Sequence, residues 1–305
     1  MSVGHHFWYI YNRQSSIMKK KKNTAIILIS CPDQKGIVHK VCDFVLNNNG
    51  NIIGLAQHVD REDQHFFMRI EWELEGFSIP DEKIGEFFDT LIAKKYGMNW
   101  ALHFSNTKPR VALFVSKYAH CIHDILSRYE SSEWDIEIPL IISNHEKFRP
   151  LAERHDIPYH YFPINRENKK EQEQKEIELL KSEEVDFVIL ARYMQILSGQ
   201  MTEAFPMQII NIHHSSLPAF AGANPYKAAY LRGVKFMGAT AHYVTEDLDE
   251  GPIIAQDVVS ISHRDNINEM KRKGRNIEKI VLADAIWSHL NHKVLIYKNR
   301  TVVFD

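Results

Sequence analysis

Cysteine is scarce in this chain: Cys31, Cys42 and Cys121 are the whole complement. An odd number, widely spaced and without a C-x-x-C pair, argues against a disulfide scaffold, a redox dithiol or a thiolate zinc site, and fits a reducing cytosol. Charge of one sign is lacking too. With 37 Lys and Arg against 39 Asp and Glu the net charge is −2, so no global field draws nucleic acid or an anionic membrane surface. Nor is there a long apolar run near the N-terminus, where Ala25–Ile29 falls far short of the ~20 residues that cross a bilayer. Lys19–Lys22 ahead of it imitates a signal peptide, yet Cys31-Pro32-Asp33 follows with no small-residue cleavage site. No nucleic-acid or membrane partner is expected, and a cytoplasmic location follows.

What is present is the composition of a soluble globular protein, 44% hydrophobic and 25% charged over 305 residues, long enough for two domains. Residues 1–23 are expected to be an extension, either disordered or the product of a start codon chosen too early. From Thr24 the pattern predicts a strand over 25–30, a turn, and a helix over 37–47 carrying Ile37, Val41, Phe44 and Val45 at helical spacing. Asn47-Asn48-Asn49-Gly50-Asn51 stops that helix. Strands over 52–59 and 65–74, a helix over 81–96 and a strand over 99–104 complete a βαββαβ order, the ferredoxin-like α+β arrangement, in residues 24–105.

Residues 106–109 read as a polar linker to a second domain, 110–305. Strands are expected at 110–115, 136–142, 159–162 and 185–190. They alternate with helices at 121–128, 147–155 and 168–184, the last so charged that it reads as a solvated face. Alternation of this kind predicts an α/β, doubly wound, mostly parallel sheet with its ligand site at the carboxyl ends of the strands.

The chemistry concentrates in Gln208–Phe220 and Gly238–Gly251. Asn211 and His213, two apart on a strand end, project to one face while His214 points to the other. Acyl transfer from an amide needs a donor for the developing oxyanion, a proton carrier, and a group that orients the carrier. Asn211, His213 and Asp249 supply one of each, and His242 is placed to hold the Asp249 carboxylate from the far side. Adjacent His213 and His214 face oppositely and no zinc-type spacing occurs, so no metal is expected.

These residues carry a resemblance. Asn211-Ile-His213 with Ser216-Leu-Pro218, then Gly238-Ala-Thr-Ala-His242 and Asp247-Leu-Asp249-Glu-Gly251, resembles the formyltransferase-fold family that uses 10-formyltetrahydrofolate, over roughly residues 110–300. It implies Asn211, His213 and Asp249 as the catalytic set, with His242 assisting, and folate as substrate with no separate cofactor. Tyr193, Met194, Gln195, Ile196 and Leu197 match its folate-lining loop, with Ile212, Val244, Glu246 and Asp247 completing the folate contacts. Gln195 stands where relatives often carry Arg, as does Asn224 before Pro225. The turn Pro32–Val38 and the Asn-rich segment after the first helix resemble the ACT family of small-molecule regulatory domains. That implies an amino-acid effector, glycine or methionine, near Asp33, Gly36, Ile37, Val38 and Asn49 of neighbouring chains, and at least a homodimer; a plain packing module is the alternative.

The loop Ser116-Lys-Tyr-Ala-His-Cys121 lacks the glycines with which glycinamide ribonucleotide formyltransferases cradle a phosphate. His120-Cys-Ile-His123 and Gly274-Arg-Asn-Ile-Glu-Lys279, with the fused first domain, resemble the formyltetrahydrofolate deformylases. The resemblance implies hydrolysis of the formyl group by water, with transfer to an amine, or ligand sensing without catalysis, as alternatives.

Overall fold

The computed structural model describes residues 23–218 and 225–305. Nearly all of the expected extension, and Asn224, lie outside the described residues.

The first unit runs β1 (Thr24–Pro32), α1 (Ile37–Asn47), β2 (Asn51–Asp60), β3 (His65–Glu73), α2 (Asp81–Phe88), α3 (Lys94–Tyr96) and β4 (Asn99–Phe104), a βαββαβ order. Its four strands form an antiparallel sheet in the order β2-β3-β1-β4. The helix expected over 81–96 is continuous, but a π turn at Asp89–Ala93 joins its two α-helical parts. β1 is apolar at nearly every position because it is covered on both sides: Ala25, Ile27, Ile29 and Cys31 join the core under the helices, while Leu28 packs with Phe67 and Phe304 on the other face.

The second unit contains β5 (Val111–Val115), α4 (His120–Glu130), β6 (Ile141–Ser143), α5 (Arg149–Arg154), β7 (Tyr159–Tyr161), α6 (Lys169–Ser182), β8 (Phe187–Ala191), α7 (Gly199–Ala204), β9 (Ile209–His213), α8 (Pro225–Arg232), β10 (Phe236–Tyr243), β11 (Ile253–Ser260) and α9 (Ile267–Leu290). Its seven-stranded sheet has the order β11-β10-β9-β8-β5-β6-β7. β5 to β9 are parallel, and β10 and β11 add antiparallel. Along β5, Val111, Leu113 and Val115 enter one core with α4 and α9, whereas Ala112 and Phe114 enter another with α6 and α7. Burial on both faces is why this strand has no polar alternation.

Three expectations change. The strand expected over 136–142 pairs only from Ile141, with a lone bridge from Arg110 to Glu137 before it; Pro139 between them has no N–H to give a ladder. The charged helix is not merely a solvated face, since Glu173 and Glu176 of α6 are 1% and 0% exposed. They share helical spacing with the buried Ile177 and Leu180. Finally, the chain after α9 turns back to the first unit as β12 (Val294–Tyr297) and β13 (Arg300–Val303). Leu295, Tyr297 and Val302 pack on the Leu28–Phe67–Phe304 cluster, and Lys298 bonds Asp63 at 2.7 Å. A boundary drawn at 106–109 therefore separates sequence more cleanly than it separates space.

Between the units, Arg69 of β3 donates to the carbonyls of Asn291 (3.2 Å) and His292 (3.1 Å). His103 of β4 stacks on His292 with centroids 3.8 Å apart. Burial holds both imidazoles below their ordinary range, His292 down to about 3, so the stack is neutral at physiological pH. Among the described residues no helix is long and apolar enough to cross a membrane.

Candidate active site

The site forms at the carboxyl end of β9, one strand from the β5/β8 switch point. Asn211 lies opposite His242 in the β9–β10 register, and its Nδ2 is 3.2 Å from His242 Nε2. Two residues on, and on the same face, His213 places Nδ1 3.1 Å from Asp249 Oδ2. The other carboxylate oxygen, Oδ1, is 3.6 Å from His242 Nε2. Asp249 thus bridges two imidazoles, and the four residues singled out from the sequence converge.

Local backbone geometry makes this possible. Asp249 has φ 58°, and the chain then doubles back so closely that a Cβ at Gly251 would lie 1.8 Å from the Tyr243 carbonyl oxygen. Only glycine fits there, and the turn returns Asp249 to His242, the residue just before β10 ends at Tyr243. His242, 1% exposed, sets its Nδ1 2.8 Å from the Tyr243 carbonyl, which can only accept, so that nitrogen carries a proton. The imidazoles of His213 and then His242 beside it hold the Asp249 carboxyl far below the usual carboxylate range despite its partial burial. It is an anion throughout the neutral range.

One residue was not anticipated. Ser215 Oγ is 2.8 Å from His213 Nε2, so the imidazole is held at both nitrogens. The signal available in the sequence was its place two residues beyond His213, within the quoted stretch.

The segment 192–198 follows β8. Tyr193 is buried, Gln195 and Leu197 are half-buried, and Met194 and Ile196 are 51% and 57% exposed. Leu197 and Val244 pack against the core that contains Tyr193. Glu246 Oε1 comes within 3.6 Å of the Cβ position at Gly199, so the segments 192–198 and 244–249 face each other. Glu246 and Asp247 are exposed. Ile212 does not join them: it is 3% exposed in the main core, on the opposite face of β9 from Asn211 and His213. In the first unit, Asp33, Gly36, Ile37 and Val38 lie at the start of α1, with Ile37 buried. Asn49 lies beyond its end. An 11-residue helix, ~16 Å long, separates them, so within one chain they do not form a single site.

Behind the site is a buried ionic cluster. Glu278 of α9, 1% exposed, meets His120 Nε2 at 2.6 Å, accepts from Tyr226 Oη at 2.9 Å, and has Arg192 Nε at 3.4 Å, close enough to pair but without hydrogen-bond alignment. Burial alone would raise this carboxyl; the combined pull of His120, Arg192 and Tyr226 lowers it. His120 and Glu278 come from the two short motifs quoted above, 158 residues apart in sequence. Gly274 permits the approach of Tyr226, whose Oη would be 2.3 Å from a Cβ there. Donor atoms of His120, Cys121 and Glu278 also lie within 4.8 Å of one another. Arg192 already supplies a cation to that group, and burial pushes the Cys121 thiol well above its usual range. The readable signal for Glu278 was a carboxylate on the apolar stripe of α9 beside Ile277 and Val281.

Residues 109–286 match the formyl transferase family, and the chain belongs to that family. Its relatives include the formyltetrahydrofolate deformylase of Synechocystis, 51% identical over 92% of this chain and 98% of the relative. The deformylase of Bacillus subtilis is 45% identical over 97% and 99%. The crystal structure of a formyltetrahydrofolate deformylase from Pseudomonas syringae pv. tomato superposes with a TM-score of 0.91 at 44% identity, covering 94% of this chain and 96% of that one. A glycinamide ribonucleotide transformylase from Symbiobacterium toebii gives 0.62 at 29% identity and covers 67% of this chain and 98% of its own.

Proposed function

We propose that this chain hydrolyses 10-formyltetrahydrofolate to tetrahydrofolate and formate, balancing the one-carbon folate pool and supplying formate for purine synthesis. The observation that carries the chemistry is the Asp249 carboxylate bridging His213 and His242 with the Asn211 amide beside them. Asp249 positions a water and takes its proton as the oxygen attacks the formyl carbon. Asn211 N–H and protonated His213 stabilise the tetrahedral oxyanion. Collapse breaks the bond to N10, a proton passes to that nitrogen, and formate leaves. Folate lies between 192–198 and 244–249, with the exposed Met194 and Ile196 as apolar contacts.

Water rather than an amine suits the loop after β5. It has no glycine, and its Ser116 hydroxyl is committed, donating to Asn144 Oδ1 at 2.6 Å and accepting from the Met194 N–H at 3.0 Å. In purified protein with 10-formyltetrahydrofolate and no amine, formate should appear catalytically. Turnover that begins only when an amine is added would overturn the hydrolase reading.

The first unit is read as an ACT-like regulatory domain that pairs between chains, so that the Asp33–Val38 turn of one protomer and the Asn49 segment of its partner enclose a small amino acid. The separation of these groups by the length of α1 supports a site shared between two chains over one within a chain. Calorimetric titration with glycine and with methionine should show saturable heat for one of them; silence from both, in folded protein, removes the effector.

A further inference from the structure

Glu173 and Glu176 are buried one helical turn apart on α6, and among the described residues neither forms an ion pair with a lysine, arginine or histidine. Glu173 Oε1 accepts from the Ser198 N–H at 3.1 Å. Glu176 Oε1 accepts from Tyr193 Oη at 3.4 Å. Both Oε2 atoms, and the Ser198 hydroxyl, are buried without a hydrogen-bond partner. The two tethered residues, Tyr193 and Ser198, flank the stretch that presents Met194 and Ile196 outward.

Two carboxylates buried one helical turn apart, with no compensating cation among the described residues, do not both ionise in a poorly solvated space. We propose that Glu173 and Glu176 form a carboxyl–carboxylate pair sharing one proton, and that the pair positions the folate loop by holding both of its ends from beneath. This rests on the reading of residues 192–198 as folate-lining. Burial first, and then the charge of Glu173, push Glu176 up to about 8. The titratable groups facing it are Glu173 on its own helix and the Tyr193 phenol, itself pushed far upward by burial and by the two acids. Protonated Glu176 supplies the one O–H that the orphaned carboxylate oxygens lack.

The sign follows from linkage. Glu176 is raised in the fold, so its contribution to stability is complete below the unfolded value near 4.5 and is lost as pH climbs to about 8. Above that value the second charge pushes the acids apart and loosens the tethers at Tyr193 and Ser198.

The test compares wild type with Glu176→Gln, which is permanently neutral and keeps an acceptor for Tyr193. KM and kcat for formate release, and calorimetric binding of tetrahydrofolate, are measured from pH 6.5 to 9.5, with thermal unfolding over the same range and down to pH 5. In wild type KM should rise roughly three- to tenfold above pH 8, the scale of one weakened buried hydrogen bond, with kcat changing less. Glu176→Gln should flatten that rise and gain thermal stability relative to wild type as pH climbs from 5 to 8. If Glu176→Gln does not fold, Glu173→Gln takes its place and should weaken the rise by removing the like charge. A rise that persists unchanged in the folded variant overturns the proposal, as does its absence in wild type. No formate at any pH, with tetrahydrofolate binding that still weakens above pH 8 only in wild type, would sink the hydrolase reading and leave the carboxyl pair standing.

Discussion

Asp249→Asn should lower kcat for formate release by on the order of 10²–10⁴, the usual effect of removing a positioned acid–base group, with KM little changed. Asparagine is the informative replacement because Asp249 sits at φ 58°, a conformation asparagine tolerates and alanine does not. The backbone turn, and the approach of position 249 to His213 and His242, should therefore survive while the charge is lost. On the proposed mechanism three functions would disappear together: the base for water, the counter-ion of the His213 imidazolium, and the partner of His242. A variant that keeps its melting temperature and more than a tenth of wild-type kcat would show that the bridging carboxylate is dispensable for the chemistry.

Glu278→Ala should cost stability on the scale of 3–5 kcal/mol, the range found when one partner of a buried ion pair is deleted. Out of a total near 5–15 kcal/mol, that is enough to make the protein marginal. The reason is what remains: Arg192 beside the empty space, the Tyr226 hydroxyl without its acceptor, and His120 without its carboxylate. Arg192 also opens the 192–198 segment, so substrate affinity should fall along with stability. Glu278→Gln, which preserves an acceptor for Tyr226, should cost less. Denaturant unfolding checks both; a loss below about 1 kcal/mol for the alanine variant would mean that the cluster is already hydrated and contributes little.

Where side chains alternate or recur with the period of one element, the sequence was readable. β9 shows it: Asn211 and His213 share a face because a strand repeats every two residues, and Ile212 falls in the core for the same reason. The resemblance placed Ile212 among the folate contacts, and strand geometry removes its side chain from them. Contacts between distant elements were less legible. Nothing local in Lys169–Ser182 separates an acid facing solvent from one facing a loop; Glu173 and Glu176 differ from their charged neighbours only in sharing helical spacing with Ile177 and Leu180. The Ile136–Ile142 run looked like a strand on hydrophobicity alone, and one imide nitrogen at Pro139 outweighed it. Ser215 is not legible in the sequence because its contact depends on a turn that brings it back to His213, and turns are fixed by backbone angles that a residue string shows poorly.

The return of β12 and β13 to the first sheet has a consequence for the order of events during synthesis. Leu28 leaves the ribosome early, and Phe304, which covers it, is made about 275 residues later, tens of seconds at elongation rates of roughly 5–20 residues per second. Among the described residues, the core on the helix-covered side of the first sheet lies within residues 25–104, and this side can close while the second unit is still emerging. Its other side stays open to solvent, and to any chaperone that binds apolar strands, until translation is nearly over.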